Sequence, residues 1–160
     1  MNSFEQLMAT RPEITFTFVD MPFGLKGYTH GDRIFLDKKN VPNEQYQILL
    51  EELAHHDYTV GNITDTSQIK NMQQEKQARS IAYEQAISLD GLIHCFYHGV
   101  WAPIDIADYF DVTVEFLFDS IESYRTKRGL IFKYKNYLFD LRRGVNITRI
   151  EQNPKSRLLS

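Results

Sequence analysis

The spacing of apolar side chains changes several times along the chain, and each change marks a different element. Glu13-Ile14-Thr15-Phe16-Thr17-Phe18-Val19 alternates polar and apolar residues, the period of a strand with one buried face. Residues 1–12 ahead of it read as a short helix ending near Pro12. Met21-Pro22-Phe23-Gly24 is a turn. Leu25 to His30 and Arg33 to Leu36 are two more short strands, joined by the hairpin signal Gly31-Asp32. These strands predict a small N-terminal antiparallel sheet, whose exposed edge is suited to strand addition by an extended peptide.

Near residue 43 the period becomes helical. Asn43, just after Pro42, is the expected N-cap of a helix over 43–57. A break centred on Gly61-Asn62 follows. Thr66 or Ser67 is then expected to cap a helix over 68–87, in which Ala78, Ala82 and Ala86 recur every four residues and allow another helix to approach closely. A third helix is predicted over 90–99, with Leu92, Ile93 and Phe96 on its apolar side. Residues 103–110, the tight turn Asp111-Val112-Thr113, and a helix stopping at Gly129 form a helix-turn-helix-like pair with Thr113 as cap. Leu130–Tyr134 and Tyr137–Leu141 around Lys135-Asn136 predict a β-hairpin, with a further strand over 144–150 and a loose end containing Pro154. The fold class expected is α+β, mostly helical. Its parts are the small sheet, a motif helix packed on a second helix, the helix-turn-helix-like pair and a C-terminal hairpin. The division expected is a body over 1–129 and a basic hairpin and tail over 130–160.

Composition adds bounds. The 160 residues are 42% apolar, enough for a substantial core in one domain. A single cysteine, Cys95, excludes an internal disulfide and suits a reducing cytoplasm. No signal peptide is visible at the start, and no stretch has the roughly 18 apolar residues of a membrane span. The net charge of −3 is uneven: residues 125–160 carry ten Lys and Arg against Asp140 and Glu151, while the rest is strongly acidic. Such a basic stretch suits nucleic acid, a solvated face, or a clamp on the chain's own acidic body. The would-be recognition helix carries Glu115, Asp119 and Glu122, which repel phosphate, so the pair reads as a packing unit and nucleic acid is disfavoured.

The chemistry concentrates in Leu50-Glu51-Glu52-Leu53-Ala54-His55-His56. Four helical residues turn about 400° and rise about 6 Å, so Glu51 and His55 share a face with Glu52 beside them. Two ligands at i and i+4 with a carboxylate after the first is the layout of the H-E-x-x-H metallopeptidase helix; here it reads E-E-x-x-H. On the next helix Glu75 lies in line with the alanine face and can point inward, while Glu84 points the opposite way. A lone glutamate is more often a solvated acid, and histidines near a helix C-terminus also suit its dipole. His94 and His98 have metal-ligand spacing without an accompanying acid and read as packing or surface residues.

The order of these segments resembles the ImmA/IrrE family of metallopeptidases, most of all the form found beside repressor genes in phages and integrative elements of Gram-positive bacteria. Three segments carry the resemblance: Leu50–His56 with Thr59-Val60-Gly61-Asn62-Ile63; Glu75-Lys76-Gln77-Ala78-Arg79-Ser80-Ile81-Ala82-Tyr83-Glu84; and Ile106 to Leu117. The resemblance implies a cytoplasmic zinc endopeptidase whose substrate is a partner transcriptional repressor. It places the catalytic carboxylate on Glu52 and the metal ligands on His55, Glu75 and Glu51, the last standing where the family has histidine. Zinc is seldom held by more carboxylates than His or Cys. Mn²⁺ or Fe²⁺ is therefore an alternative ion, His56 an alternative ligand, and a non-catalytic antirepressor with a degenerate site an alternative function. Tyr28 or His30 is the expected oxyanion partner.

Overall fold

The computed structural model describes residues 2–58 and 68–151, with side chains left aside at 68–71. The expected cap at Thr66 or Ser67, the Gly61-Asn62 break, the Thr59–Ile63 segment and the chain's last nine residues lie outside the described residues. The chain opens with α1 (Ser3–Ala9), started by a capping box in which Asn2 Oδ1 accepts from the Glu5 backbone N–H at 2.8 Å. Strands β1 (Thr15–Val19), β2 (Gly27–His30) and β3 (Arg33–Asp37) follow, then helices α2 (Pro42–Tyr58) and α3 (Gln68–Ala86). Next come α4 (Leu89–Tyr97), α5 (Pro103–Phe110) and α6 (Val114–Arg128), and the chain closes with β4 (Ile131–Tyr134), β5 (Tyr137–Asp140) and β6 (Asn146–Arg149). The fold is α+β, as the periodicities predict.

The N-terminal sheet is mixed rather than antiparallel. Its order is β1-β3-β2: β2 pairs with β3 antiparallel, but β1 pairs with β3 in parallel, Thr17 opposite Phe35. Alternation shows which face a strand buries, whereas the partner and direction depend on how the connection folds back. Here the 20–26 segment, with Phe23 at φ 58° and Gly24 at φ 71°, carries the chain across so that β3 lies between the other two. This leaves β2 at one edge. Helix α2 begins at Pro42, whose fixed φ suits the first helical position; the Val41 carbonyl accepts from Glu44 and Gln45. Asn43 therefore lies inside the first turn and is not the cap.

Helix α2 is the wall shared by two cores. Its apolar residues occupy more than half of the circumference. Ile48, Leu49 and Leu53 pack with Phe4, Ile14, Ile34 and Leu36 from α1 and the sheet. Leu50 belongs to the larger core, with Ala82, Leu92, Phe116, Leu117, Ile121 and Tyr124 from the other helices and Ile87 from the α3–α4 connection. Phe139 and Ile147 of the antiparallel β4-β5-β6 sheet, with Leu141 just after β5, complete that core, all three buried. Two polar groups at this core are matched: the Tyr124 hydroxyl donates to the Ile87 carbonyl at 2.6 Å, and Arg125 Nε donates to the Leu141 carbonyl at 2.7 Å.

The helix-turn-helix-like pair is a packing unit. Asp111, in the left-handed region at φ 60°, ends α5, and the Thr113 hydroxyl caps α6 by accepting from the Phe116 N–H at 3.1 Å. Gln47 Oε1 on α2 accepts from both the N–H and the hydroxyl of Thr113, which ties this turn to α2. The basic stretch pairs with the chain's own acids: Lys127 with Glu84 at 3.1 Å, Lys135 with Asp90 at 2.8 Å, and Arg142 with Asp140 at 2.8 Å. The first contact also places Glu84 on the side of α3 away from Ala78 and Ala82. His94 and His98 stack on each other at 3.9 Å, with His94 also on Tyr109, and both are exposed.

Ala78 and Ala82 are wholly buried. Ala82→Leu forces three extra carbons into a filled space and should cost about 1–3 kcal/mol, read from the midpoint of a urea unfolding curve. An unchanged midpoint would mean that the two helices are free to move apart there.

Candidate metal centre

The site is assembled from α2, α3 and β2. Helix α2 presents Glu51, Glu52 and His55 between the two apolar groups that bury it, so these polar side chains are drawn in with it. Their burial follows from the position of the helix rather than from any local preference. Helix α3 contributes Glu75. Its small residues Ala78 and Ala82, with no exposed surface, let α3 lie close to α2. That approach brings Glu75 Oε2 to 3.3 Å from His55 Nε2.

This contact carries chemical information. An imidazole nitrogen and a carboxylate oxygen that both bind one tetrahedral ion at about 2.1 Å stand about 3.4 Å apart. The His55–Glu75 separation matches that spacing, and the donors are a nitrogen and an oxygen of the types that divalent metals take. The pair therefore fits as half of a ligand set. Glu51 lies one turn before His55, with Glu75 close enough for its charge to act on it. Among the described residues, however, no three His, Cys, Asp or Glu side chains stand together as a complete cage.

Burial governs the electrostatics. Loss of water pushes the Glu51 carboxyl above its usual range; the Arg79 guanidinium opposes this, and the negative field of Glu75 adds to it. Glu52 is affected more strongly. Burial raises its pKa to about 7, opposed by a hydrogen bond from Thr29 and reinforced by the charges of Glu51 and Glu75. The Thr29 hydroxyl is 2.5 Å from Glu52 Oε2 and 3.1 Å from the Glu52 carbonyl. A carboxyl titrating near neutrality, beside a candidate ion site, is suited to receive and return a proton.

Strand β2 approaches α2 through its small and polar face. Gly27 and Thr29 point toward the helix. A Cβ added at Gly27 would lie 2.9 Å from Glu52 Cγ and 3.1 Å from its Oε1, so only glycine leaves this carboxylate its place. Tyr28 and His30 face the other way, stacked on each other at 6.5 Å, with Tyr28 also on Phe35. The expectation that one of them serves an oxyanion chose the wrong parity. The residues it passed over, Gly27 and Thr29, are the ones that touch the site. A period of two was the available signal: once β2 packs on α2, alternate residues must meet it.

His56 has separate partners. Its Nε2 is 2.9 Å from Asp32, and its Nδ1 is 2.8 Å from Asp57. Hydrogen bonds to those two carboxylates raise its pKa. Arg11 grips both oxygens of Asp57, at 2.6 and 2.9 Å. This cluster pins the end of α2 to the β2–β3 turn and to the segment before β1. The histidine expected as an alternative ligand is thus held outside the site.

No curated protein and no solved structure matches the chain. A family model does: that of the IrrE N-terminal-like domain, Peptidase_M78, over residues 14–118. The matched region runs from β1 into α6 and includes Glu51, Glu52, His55 and Glu75. Because that stretch is well over half of the chain, the protein belongs to the ImmA/IrrE family of metallopeptidases.

Proposed function

We propose that the protein is a metal-dependent endopeptidase acting on a partner transcriptional repressor in the cytoplasm. Zinc is its first candidate ion, with Mn²⁺ or Fe²⁺ as the harder ions that a two-carboxylate set would also accept. The observation that carries this reading is the 3.3 Å approach of His55 to Glu75 between two separate helices, beside a carboxyl tuned to about 7. His55, Glu75 and Glu51 would hold the ion. When bound, it would supply Lewis acidity to the scissile carbonyl and make water a better nucleophile.

The chain's own residues supply the remaining steps. Glu52 takes the proton of the attacking water and returns it to the departing amine. Thr29 holds Oε2 of that carboxylate, while Oε1 lies over Gly27. Strand β2 is at the sheet edge next to this carboxylate, so an extended peptide adding to Gly27–His30 would pass Glu52. The partial burial of Glu52 favours the proton transfers by limiting the access of competing water.

A second reading, a non-catalytic antirepressor, is favoured by Glu51 in the position where the family has histidine. The two readings differ in what survives loss of the ion. For the peptidase, chelator-stripped protein regains cleavage of the repressor encoded beside it when Zn²⁺ or Mn²⁺ is returned. Glu52→Gln then abolishes cleavage with metal affinity retained, and His55→Ala loses affinity in calorimetric titration. Complex formation with the repressor that is indifferent to chelator and to Glu52→Gln, without cleavage, selects the antirepressor.

Two further outcomes follow from the buried carboxyl. In metal-free protein, Glu52 binds its proton more tightly folded than unfolded, so it destabilises the fold as pH rises from about 4.5 to about 7. Glu52→Gln removes that charge and should stabilise metal-free protein by about 1–3 kcal/mol at pH 8, with little effect at pH 4, measured by chemical denaturation. Thr29→Val deletes the hydrogen bond that lowers the Glu52 pKa. The acidic limb of kcat/KM should therefore move to higher pH, and a limb that stays in place or moves down would remove Thr29 from this role.

A further inference from the structure

We propose that a cavity between α4, α5, α6 and the β5–β6 loop binds a small amphiphilic anion, an apolar body carrying one carboxylate or sulfonate. None of its lining residues belongs to the candidate metal centre, so the inference stands apart from the peptidase reading. The cavity holds about 860 Å³. Protein interiors are close-packed, and a space of this size is not packing slack; it is the size of a site for an organic ligand.

Its floor is apolar. Leu92, Cys95, Ile106, Leu117 and Ile121 line it and are buried in the larger core. Trp101, the chain's one tryptophan, stands at the mouth. Its indole N–H donates to the Phe96 carbonyl at 2.8 Å, which fixes the ring, while 67% of the residue remains exposed. A fixed aromatic ring beside an apolar hollow is a stacking surface for a flat or chain-like body.

The charges give the polarity of the ligand. Arg125 and Glu122 cancel each other at 3.0 Å, and Arg125 Nε is also taken up by the Leu141 carbonyl. Asp119 also lines the cavity, from the edge of α6 where its field reaches Tyr83 and Glu51 of the neighbouring helices. Arg143 lines the cavity from the β5–β6 loop and makes no ion pair among the described residues; its neighbour Arg142 is the one bound to Asp140. A guanidinium at the rim of an apolar hollow pairs with a carboxylate or sulfonate whose body fills the hollow.

The test titrates the full chain with two dyes of similar shape, anionic anilinonaphthalene sulfonate and neutral phenylnaphthylamine, following dye emission and quenching of Trp101. The expected result is saturable one-to-one binding of the sulfonate with quenching of Trp101. Arg143→Ala should weaken the sulfonate about tenfold and leave the neutral dye unchanged, while Arg143→Lys keeps most of the affinity. Val145→Trp fills the hollow from one wall and Val100→Phe from another; whichever variant keeps the parent melting temperature should lose both dyes. Binding that does not saturate, or that neither filling variant reduces, would overturn the proposal. So would an equal loss of both dyes in Arg143→Ala, or no binding of either dye, which would leave the hollow to a side chain of a protein partner.

Discussion

The site depends on how closely α3 lies against α2. Glutamate and histidine side chains reach only a few ångströms from their backbones. A pair on different helices meets at 3.3 Å only if the two helices pack side by side. Alanines at 78 and 82 make that approach available, and their complete burial shows that the space is used. The same logic recurs on the other side of α2, where Gly27 lets β2 approach until Thr29 can donate to Glu52. Small residues on both flanks thus draw the polar strip of α2 into a narrow enclosure.

That enclosure costs stability. Glu51 and Glu52 lose solvation as α2 takes its place between two hydrophobic cores, and their pKa values rise because the charged forms suffer most. Thr29 offsets part of this for Glu52, and Arg79 does so for Glu51 from a distance. A chain selected for stability alone would place apolar residues there. Local rules broken at the centre of an otherwise consistent helix are the usual mark of a functional site. The far end of α2 is held by a different device, the Arg11, Asp57, His56 and Asp32 cluster, which lies mostly at the surface and restrains the last turn.

The C-terminal third of the chain packs onto this arrangement through the larger core. Helix α6 seals the larger core with Phe116, Leu117, Ile121 and Tyr124, and its outward residues include Glu115, Asp119 and Glu122. Two basic residues after Gly129, Lys135 and Arg142, are matched to acids in the body or in their own turn. Part of the uneven charge along the sequence becomes, in three dimensions, internal pairs, while among the described residues Lys133, Arg143 and Arg149 stand outside them.

The sequence by itself determined the elements and the faces they bury. Alternation marked the strands, a period near 3.6 marked the helices, and Thr113 and Gly129 marked the ends of α6, because these are local properties of backbone and side chain. The Glu51, Glu52, His55 pattern and the alanine face of α3 were legible for the same reason, and their order with the strands was enough to identify the family. Only the tertiary structure decided what depends on distance between elements remote in the chain. It joined β1 to β3 in parallel, chose Thr29 and Gly27 over Tyr28 and His30 as the residues facing Glu52, and drew His56 into a surface cluster. It also brought Glu75 onto His55. Periodicity specifies a direction around an axis, whereas partner, register and separation are set by how two cores pack on opposite sides of one helix.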